Sequence, residues 1–426
     1  MSTLNHRNIL QTLFLLWLMI FTGCREKQFT KPTPQMDAPP EFWIRVLLSD
    51  NIRTATLKIA SPFTISGLQI ETPNQPDTPV QIQVSQGKMI IAGQPAESNE
   101  VIISPDNPYI FNLNGDDYRG KLKLTLNPDC NSFDAVNLVP LEPYLAGVIG
   151  AEMPEYWEPE ALKAQAIAAR TYCLYIKRRF GPNRSWDVTK TQANQIYLGV
   201  GAESNLVWDA VNRTAGQVLV CSQPDTKAIN HVGFMTVNPT WFTGIFPAYY
   251  SSICGGHTEN SSKVFGDSFA PLAGVSCPYC REIAKPAFFF WDKIMLKKTD
   301  VSARLLQRYP DLKLLGEIKN IVPIDQSDYG DFSRLTTIKL FGPNGKTNWL
   351  RAEDLRLAID PTGRKLKSAA CQITDANDKW AFSAGRGFGH AVGLCQCGAQ
   401  AMARKANTAA QILAYYYPGS DIENVY

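Results

Sequence analysis

One amphipathic segment constrains the fold more than any other feature of the sequence. Between Glu158 and Gly181 apolar residues recur at helical spacing, namely Leu162, Ala166, Ala169, Cys173 and Ile176. Pro159 and two acidic residues stand where a helix would begin, and a basic cluster at residues 177–179 stands where it would end. The pattern predicts a long helix with one buried face, and the rest of the chain must pack around it.

A lone carboxylate, Glu152, stands in the run 147–154 just before this helix. Its neighbours are small or apolar, and partial desolvation among them would raise its pKa toward that of a working acid. The N-terminus of the predicted helix would lower the pKa instead. The structural alternative is a Glu152 that caps a backbone amide or pairs with Lys163 or Arg170.

The first 40 residues have the pattern of an export signal and a tether. The apolar run 13–21 is too short to span a bilayer and is typical of a signal peptide. It leads into Phe21-Thr22-Gly23-Cys24, which resembles a bacterial lipobox. We therefore expect residues 1–24 to be a lipoprotein signal peptide and lipobox with Cys24 lipidated, the alternative being an ordinary signal peptide. The Pro-rich residues 25–40 are predicted to be an extended tether.

These features predict an exported protein that is anchored to a membrane through its N-terminal lipid. Arg25 directly after Cys24 favours the outer membrane, with the folded part facing the periplasm. The 42 basic and 39 acidic residues give a net charge of +3, which does not indicate a polyelectrolyte partner such as nucleic acid.

The pattern of the remaining chain predicts an α+β fold. Residues 41–135 alternate apolar and polar residues in short runs between turn residues, which predicts a small antiparallel β region. Residues 136–426 predict mixed helices and strands without βαβ alternation, including an α/β accessory segment around 285–370. A helix at Asn205–Arg213, a hairpin with its turn at residues 343–345 and a final helix capped by Thr408 and Gln411 are among them.

Two closely spaced pairs suggest a metal site. Cys254-x2-His257 and Cys277-x2-Cys280 supply four ligands, as a tetrahedral structural zinc requires. An exported protein meets an oxidising compartment, which favours disulfides. With Cys24 lipidated, nine of the ten cysteines remain, so at least one thiol is unpaired within the chain. Zinc and a disulfide are therefore both open at this stage.

A glycine-rich stretch at residues 383–400 suggests a ligand-binding loop. Its glycines let backbone approach a ligand closely, and Arg386, His390 and Gln396 offer hydrogen-bond donors. A hydrogen-bonded core histidine is the structural interpretation of His390. A nucleophilic Cys395 or Cys397 with His390 as base is disfavoured, since no orienting partner is visible.

Four blocks of the sequence resemble the sporulation stage II protein D family, SpoIID/LytB. They lie in family order at residues 141–154, 160–172, 255–260 and 385–393. The resemblance implies a peptidoglycan lytic transglycosylase, a lyase that cleaves glycan strands between N-acetylmuramic acid and N-acetylglucosamine. The family's catalytic Glu, in a Glu-Met-Pro motif, falls on Glu152.

That reaction requires a single carboxylate. Glycoside hydrolases generally use two, whereas a transglycosylase uses the sugar's own C6 hydroxyl as nucleophile. Glu152 would protonate the glycosidic oxygen and then take the proton of that hydroxyl, leaving a 1,6-anhydro sugar. No cofactor is expected for catalysis.

The resemblance also implies a substrate groove. Its predicted substrate-binding residues are Gly255, Gly256, His257, Thr258, Glu259, Arg386, His390 and Gln396. Two departures stand out: residues 393–398 read Gly-Leu-Cys-Gln-Cys-Gly where relatives commonly have Gly-Met-Ser-Gln-Tyr-Gly, and the zinc ligands that some relatives carry near residues 187–195 are absent. A structural zinc here is predicted to use Cys254, His257, Cys277 and Cys280, with Cys395 as an alternative to His257.

A second function belongs to a different class. The LytB half of the family name implies a non-catalytic peptidoglycan-binding protein that enhances a cell-wall amidase. The presence of Glu152 favours the enzyme, whereas the altered loop at 393–398 keeps the binding protein open. Glycan strands, a membrane and a cell-wall amidase are the expected partners.

Overall fold

Short strands that alternate buried and exposed residues build the N-terminal part of the fold. The computed structural model describes residues 36–68, 77–221 and 244–426, apart from the side chain of Asn344. Cys24, the signal peptide 1–24 and most of the tether 25–40 lie outside the described residues. The strands are β1 (Trp43–Ile52), β2 (Thr54–Lys58), β3 (Phe63–Ile65), β4 (Val80–Ser85), β5 (Lys88–Ile91), β6 (Gln94–Pro95), β7 (Glu100–Pro105), β8 (Ile110–Leu113), β9 (Asp116–Arg119), β10 (Lys121–Leu126) and β11 (Phe133–Pro140).

These strands form two six-stranded sheets. One has the order β12–β1–β11–β10–β7–β3, where β12 is Val188–Thr189, and the other has the order β6–β5–β4–β2–β8–β9. Neighbours are antiparallel except β1 and β12. Strand β10 contacts β8, and β11 contacts β9. The predicted antiparallel β region is confirmed. Its strands form because alternating apolar and polar residues give each strand one face to bury.

Helices and shorter strands make up the rest. The described α-helices are α1 (Leu141–Glu152), α2 (Pro159–Phe180), α3 (Asn205–Arg213), α4 (Ser261–Val264), α5 (Cys280–Ile283), α6 (Pro286–Phe289), α7 (Lys298–Arg308), α8 (Ala352–Ile359), α9 (Gln396–Arg404) and α10 (Ala409–Tyr416). The remaining described strands are β13 (Gln217–Cys221), β14 (Tyr250–Ser251), β15 (Phe290–Trp291), β16 (Ile294–Lys297), β17 (Asn320–Asp328), β18 (Ser333–Phe341), β19 (Thr347–Arg351), β20 (Gln372–Ala376), β21 (Lys379–Ser383), β22 (Gly385–Arg386), β23 (Leu394–Cys395) and β24 (Ser420–Asn424).

The long helix predicted from residues 158–181 is α2, and its central position is confirmed. It packs against α1, α3, α9, α10 and β13. Most of its side chains are buried, including Ala169 and Cys173. The predicted helix at Asn205–Arg213, the β18–β19 hairpin and the Thr408–Gln411 capping box are also present. The class is α+β, and no helix in the described part is long and apolar enough to cross a membrane.

Glu152 occupies a different position from the one expected. It is the last residue of α1, a helix that the sequence analysis did not predict. The residues of α1 from Leu145 to Ile149 are all buried, so the helix has no polar face and shows no amphipathic period. Gly147 and Gly150 further reduce its helix propensity.

Residues 291–382 contain a separate cluster of buried hydrophobic residues, which we call the 291–382 core. Trp291, Leu305, Ile338, Leu355 and Trp380 are among its buried members. Strands β17, β18 and β19 form one sheet, and β16, β21 and β20 form another. The proposed boundaries at 41–135, 136–426 and 285–370 stay predictions; β11 runs directly into α1 without a linker.

Candidate active site

The C-terminal end of α1 presents Glu152 to the segment 196–202. The Ile196 amide donates a hydrogen bond to Glu152 Oε1 over 2.9 Å. Two glycines of α1 make this approach possible. A Cβ at Gly147 would lie 2.5 Å from the Tyr197 ring, and a Cβ at Gly150 would lie 1.9 Å from the Ala202 carbonyl oxygen. The small residues around Glu152 therefore allow a loop to pack against the helix and hold its carboxylate.

The pKa of Glu152 is raised. Burial is the main cause, and the hydrogen bond from Ile196 and the nearby Gln396 side chain oppose it. The cations considered as partners are engaged elsewhere, since Arg170 binds Glu142 and Lys163 binds Glu160. The carboxylate also sits at the C-terminal end of a helix, where the dipole disfavours a negative charge.

Gln396 is the predicted site residue that the structure brings to Glu152. It begins α9 and is almost fully buried. It lies near enough to the carboxylate to lower its pKa, yet its amide nitrogen has no hydrogen-bond partner of normal geometry among the described residues. A buried donor without a partner is costly, so this amide would gain from an acceptor oxygen brought to the site.

A buried polar network supports the same site, and no motif in the sequence points to it. Gln195 accepts a hydrogen bond from Tyr144 and donates one to the Tyr250 hydroxyl, each over 2.9 Å. Burial raises the pKa of Tyr250, and the charge of Glu152 raises it further. Gln195 ends the 187–195 segment, so that segment borders Glu152 although it lacks the relatives' zinc ligands. Asp187, which begins it, is buried in an ion pair with Arg45.

Two exposed apolar side chains lie in the loops on either side of this site. Tyr156, four residues after Glu152, is 77% exposed, and Leu198, two residues after Ile196, is 55% exposed. The amide of Leu198 donates to the Gly147 carbonyl, which fixes its loop on α1. An exposed aromatic ring is a surface on which a sugar ring can stack.

Three other predicted groove residues line a cavity. Gly256, His257 and Arg386 line a cavity of about 270 Å³, and Glu152 is not among its lining residues. Arg386 donates to the carbonyl of Gly255 and pairs with Asp331 over 2.7 Å. The structure thus places these residues together, at a cavity that Glu152 does not line.

Thr258 and Glu259 face the protein interior. The Thr258 hydroxyl exchanges hydrogen bonds with the backbone of Val275. Glu259 is 2% exposed and accepts hydrogen bonds from Ser327 and Tyr329. Their polar atoms are satisfied by the protein, so their positions do not support substrate binding.

His390 is partly buried and packs against aromatic rings. Desolvation lowers its pKa to about 4, so the ring is neutral at pH 7. Its Nδ1 accepts a hydrogen bond from the Val392 amide over 3.0 Å, and Phe265 contacts it edge-on. These contacts match the structural interpretation of His390.

Three of the four predicted metal ligands are brought together, and Cys395 takes the place of His257 as the fourth. The Sγ atoms of Cys254, Cys277, Cys280 and Cys395 all lie within 4.8 Å of one another and are buried. His257 is outside this cluster because its ring stacks on Tyr329 at 4.1 Å. These four cysteines are free thiols, with no disulfide among them.

Comparison with known proteins adds a family relationship. A family model described as Stage II sporulation protein matches residues 129–221, the part that contains α1 and α2. Stage II sporulation protein D of Bacillus subtilis is 30% identical over 316 residues, covering 68% of this chain and 76% of the relative. An uncharacterised protein of Brachyspira hyodysenteriae is 30% identical over 312 residues, covering 73% and 74%. The Amidase enhancer of Bacillus subtilis is 25% identical over 383 residues, covering 80% of this chain and 49% of the relative.

Proposed function

Because the chain belongs to the stage II sporulation protein D family, we propose that it cleaves peptidoglycan glycan strands by lytic transglycosylation. Family membership and the relative named Amidase enhancer support a function related to the cell wall. One observation carries the enzymatic proposal. Glu152 is a partly buried carboxylate whose pKa is raised by burial; the Ile196 amide donates to it, and the ion pairs of Arg170 and Lys163 go to other residues.

The proposed reaction uses Glu152 twice. Its raised pKa keeps it protonated to higher pH, so it can donate a proton to the oxygen between N-acetylmuramic acid and N-acetylglucosamine. The bond from C1 to that oxygen breaks while the C6 hydroxyl of the muramic acid bonds to C1. The Glu152 carboxylate then takes the hydroxyl proton and is regenerated. No water is consumed, and the new end is 1,6-anhydro-N-acetylmuramic acid.

Neighbouring groups have supporting roles in this proposal. The unpartnered amide of Gln396 would donate to a substrate oxygen beside Glu152. Tyr156 would stack on a sugar ring. The cavity lined by His257, Arg281 and Arg386 would bind another part of the strand, where the Arg281 cation and the aromatic rings suit an acidic sugar substituent.

The test is mass spectrometry of glycan strands, with and without stem peptides, after incubation with the chain from Arg25 onward. Glu152→Gln is the test variant, and Glu155→Gln is its matched control because Glu155 is an exposed carboxylate three residues away. We expect 1,6-anhydro ends from the wild type and from Glu155→Gln only. Reducing ends would instead mean hydrolysis, and strands left intact by the wild type would contradict the enzymatic proposal.

The second candidate, a non-catalytic enhancer of a cell-wall amidase, is favoured by the relative named Amidase enhancer. Amidase turnover on intact peptidoglycan, measured with and without the protein, tests it. Stimulation that survives Glu152→Gln would assign the enhancement to binding rather than to glycan cleavage.

We further propose that the protein is exported and held at the outer membrane, facing the periplasm, by a lipid on Cys24. The test is labelling of cells with a fatty-acid probe, followed by fractionation. A wild-type chain should take up the probe and sediment with outer membranes, and Cys24→Ala should do neither. Labelling of the Cys24→Ala chain would contradict the proposal.

A further inference from the structure

The four clustered thiols have the spacing of ligands around one ion. Zinc bonded to four sulfurs at about 2.3 Å separates those sulfurs by roughly 3.8 Å at the corners of a tetrahedron. Cys254 Sγ and Cys280 Sγ are 3.7 Å apart, and the four sulfurs of the cluster lie within 4.8 Å of one another. A disulfide would bring two sulfurs to about 2.05 Å. The arrangement suits a shared ion better than a bond between any two of its members.

Distant elements build this cluster. Strands β14 and β23 pair in parallel, with Ser251 opposite Cys395, which brings Cys254 and Cys395 to one place. Cys277 and Cys280 enter from the turn that opens α5. Gly398 in α9 leaves room for the sulfur of Cys277, since a Cβ at Gly398 would lie 2.9 Å from Cys277 Sγ.

The surroundings suit thiolates. The Cys254 amide donates to Cys395 Sγ over 3.3 Å, and the Tyr416 hydroxyl lies 3.1 Å from Cys277 Sγ. The cluster also lies at the N-terminus of α9, where the helix dipole stabilises negative charge. Donors of this kind orient and stabilise sulfur ligands around a metal.

We propose that Cys254, Cys277, Cys280 and Cys395 bind one zinc ion as a closed, structural site. Four protein ligands fill a tetrahedral zinc and leave no position for water or substrate. The site fastens the start of α9 to the 254–257 loop. Gln396 directly follows the ligand Cys395, so the zinc fixes the residue that faces Glu152. This inference does not rest on the proposed transglycosylase activity.

The test is elemental analysis of the full-length chain, purified in detergent under reducing conditions without chelator. We expect one zinc per chain. Cys280→Ser and Cys395→Ser should lose it, and Cys397→Ser should keep it. Cys397 is the matched control because it is buried two residues from Cys395 but is not one of the four clustered thiols.

A second measurement does not depend on the variants folding. In the wild type, alkylation followed by peptide mass spectrometry should modify the exposed Cys130 at once. The four ligands should react only after zinc is removed by a chelator, and cobalt in place of zinc should give the absorption of a tetrahedral thiolate site. Iron instead of zinc, a metal-free wild type, a disulfide among the four, or loss of zinc in Cys397→Ser alone would overturn the proposal.

Discussion

At the scale of single residues, Glu152 links stability to pH. Burial raises its pKa above that of the unfolded chain. Between the two pKa values the folded state binds the additional proton, so the contribution of this group to the free energy of unfolding falls as the pH rises. Glu152→Gln removes this group, and its amide oxygen can still accept from Ile196. We expect the variant to gain stability relative to the wild type as the pH is raised from about 4 to about 8.

Melting temperatures of both proteins across that pH range provide the measurement. Glu155→Gln serves as control, because it removes an exposed carboxylate from the loop that follows α1. A difference between Glu152→Gln and wild type that stays constant with pH would show that Glu152 titrates normally.

Variants of Gln396 and Gln195 should distinguish a residue that contacts the substrate from one that supports the structure. The amide nitrogen of Gln396 makes no hydrogen bond of normal geometry in the described structure, so Gln396→Ala should lower the melting temperature less than Gln195→Ala does. It should lower kcat/KM by about tenfold, the value of one hydrogen bond of about 1.4 kcal/mol. Gln195→Ala breaks bonds to Tyr144 and Tyr250 and should lower both stability and activity. Equal destabilisation by the two variants would contradict this distinction.

At the scale of elements, α1 contains two glycines, Gly147 and Gly150, although glycine has a low helix propensity. They are needed because the 196–202 segment packs closely against the helix. Ala in place of Gly inside a helix normally adds about 1 kcal/mol of stability. At Gly150 the added Cβ would meet the Ala202 carbonyl oxygen at 1.9 Å, so the 196–202 segment must move away from α1. We therefore expect Gly150→Ala to destabilise the fold by about 1–3 kcal/mol and to weaken the hydrogen bond from Ile196 to Glu152.

Chemical denaturation and glycan cleavage assays check this expectation. Gly201→Ala is the matched control, since no atom lies within 4 Å of its Cβ position in the same segment. A Gly150→Ala protein as stable and active as Gly201→Ala would mean that the segment does not need its contact with α1.

At the scale of the whole molecule, one buried ion pair joins the 291–382 core to the loop that carries Cys254. Arg334 in β18 bonds to the carbonyls of Cys254 and His257, and it pairs with the buried Glu259 over 3.4 Å. Arg334→Met leaves the Glu259 charge buried without its cation, which should destabilise the protein by about 3–5 kcal/mol.

Denaturation of Arg334→Met, Glu259→Gln and the double variant measures this coupling. The double variant should be more stable than Arg334→Met alone, because it no longer buries an unpaired charge. Strictly additive losses would contradict a direct interaction.

Many elements of this fold could be predicted from local patterns in the sequence. Helix α2, the strands of the β region and the capping box of α10 depend on residues close in the chain, where hydrophobic period and end residues act directly. Helix α1 could not be predicted in this way, because it is buried on all sides and its sequence therefore shows no amphipathic period. The sequence singled out Glu152 through its unusual apolar surroundings and its motif.

Only the tertiary structure decided which groups meet. Cys395 rather than His257 completes the cysteine cluster, and its contact with Cys254 spans 141 residues. Gln396 lies beside Glu152, whereas Glu259 is turned inward to Arg334. No spacing within a motif predicts such contacts, because they arise from the packing of strands and helices far apart in the chain. The sequence by itself determined the elements and the candidate acid; the packing of those elements determined its neighbours.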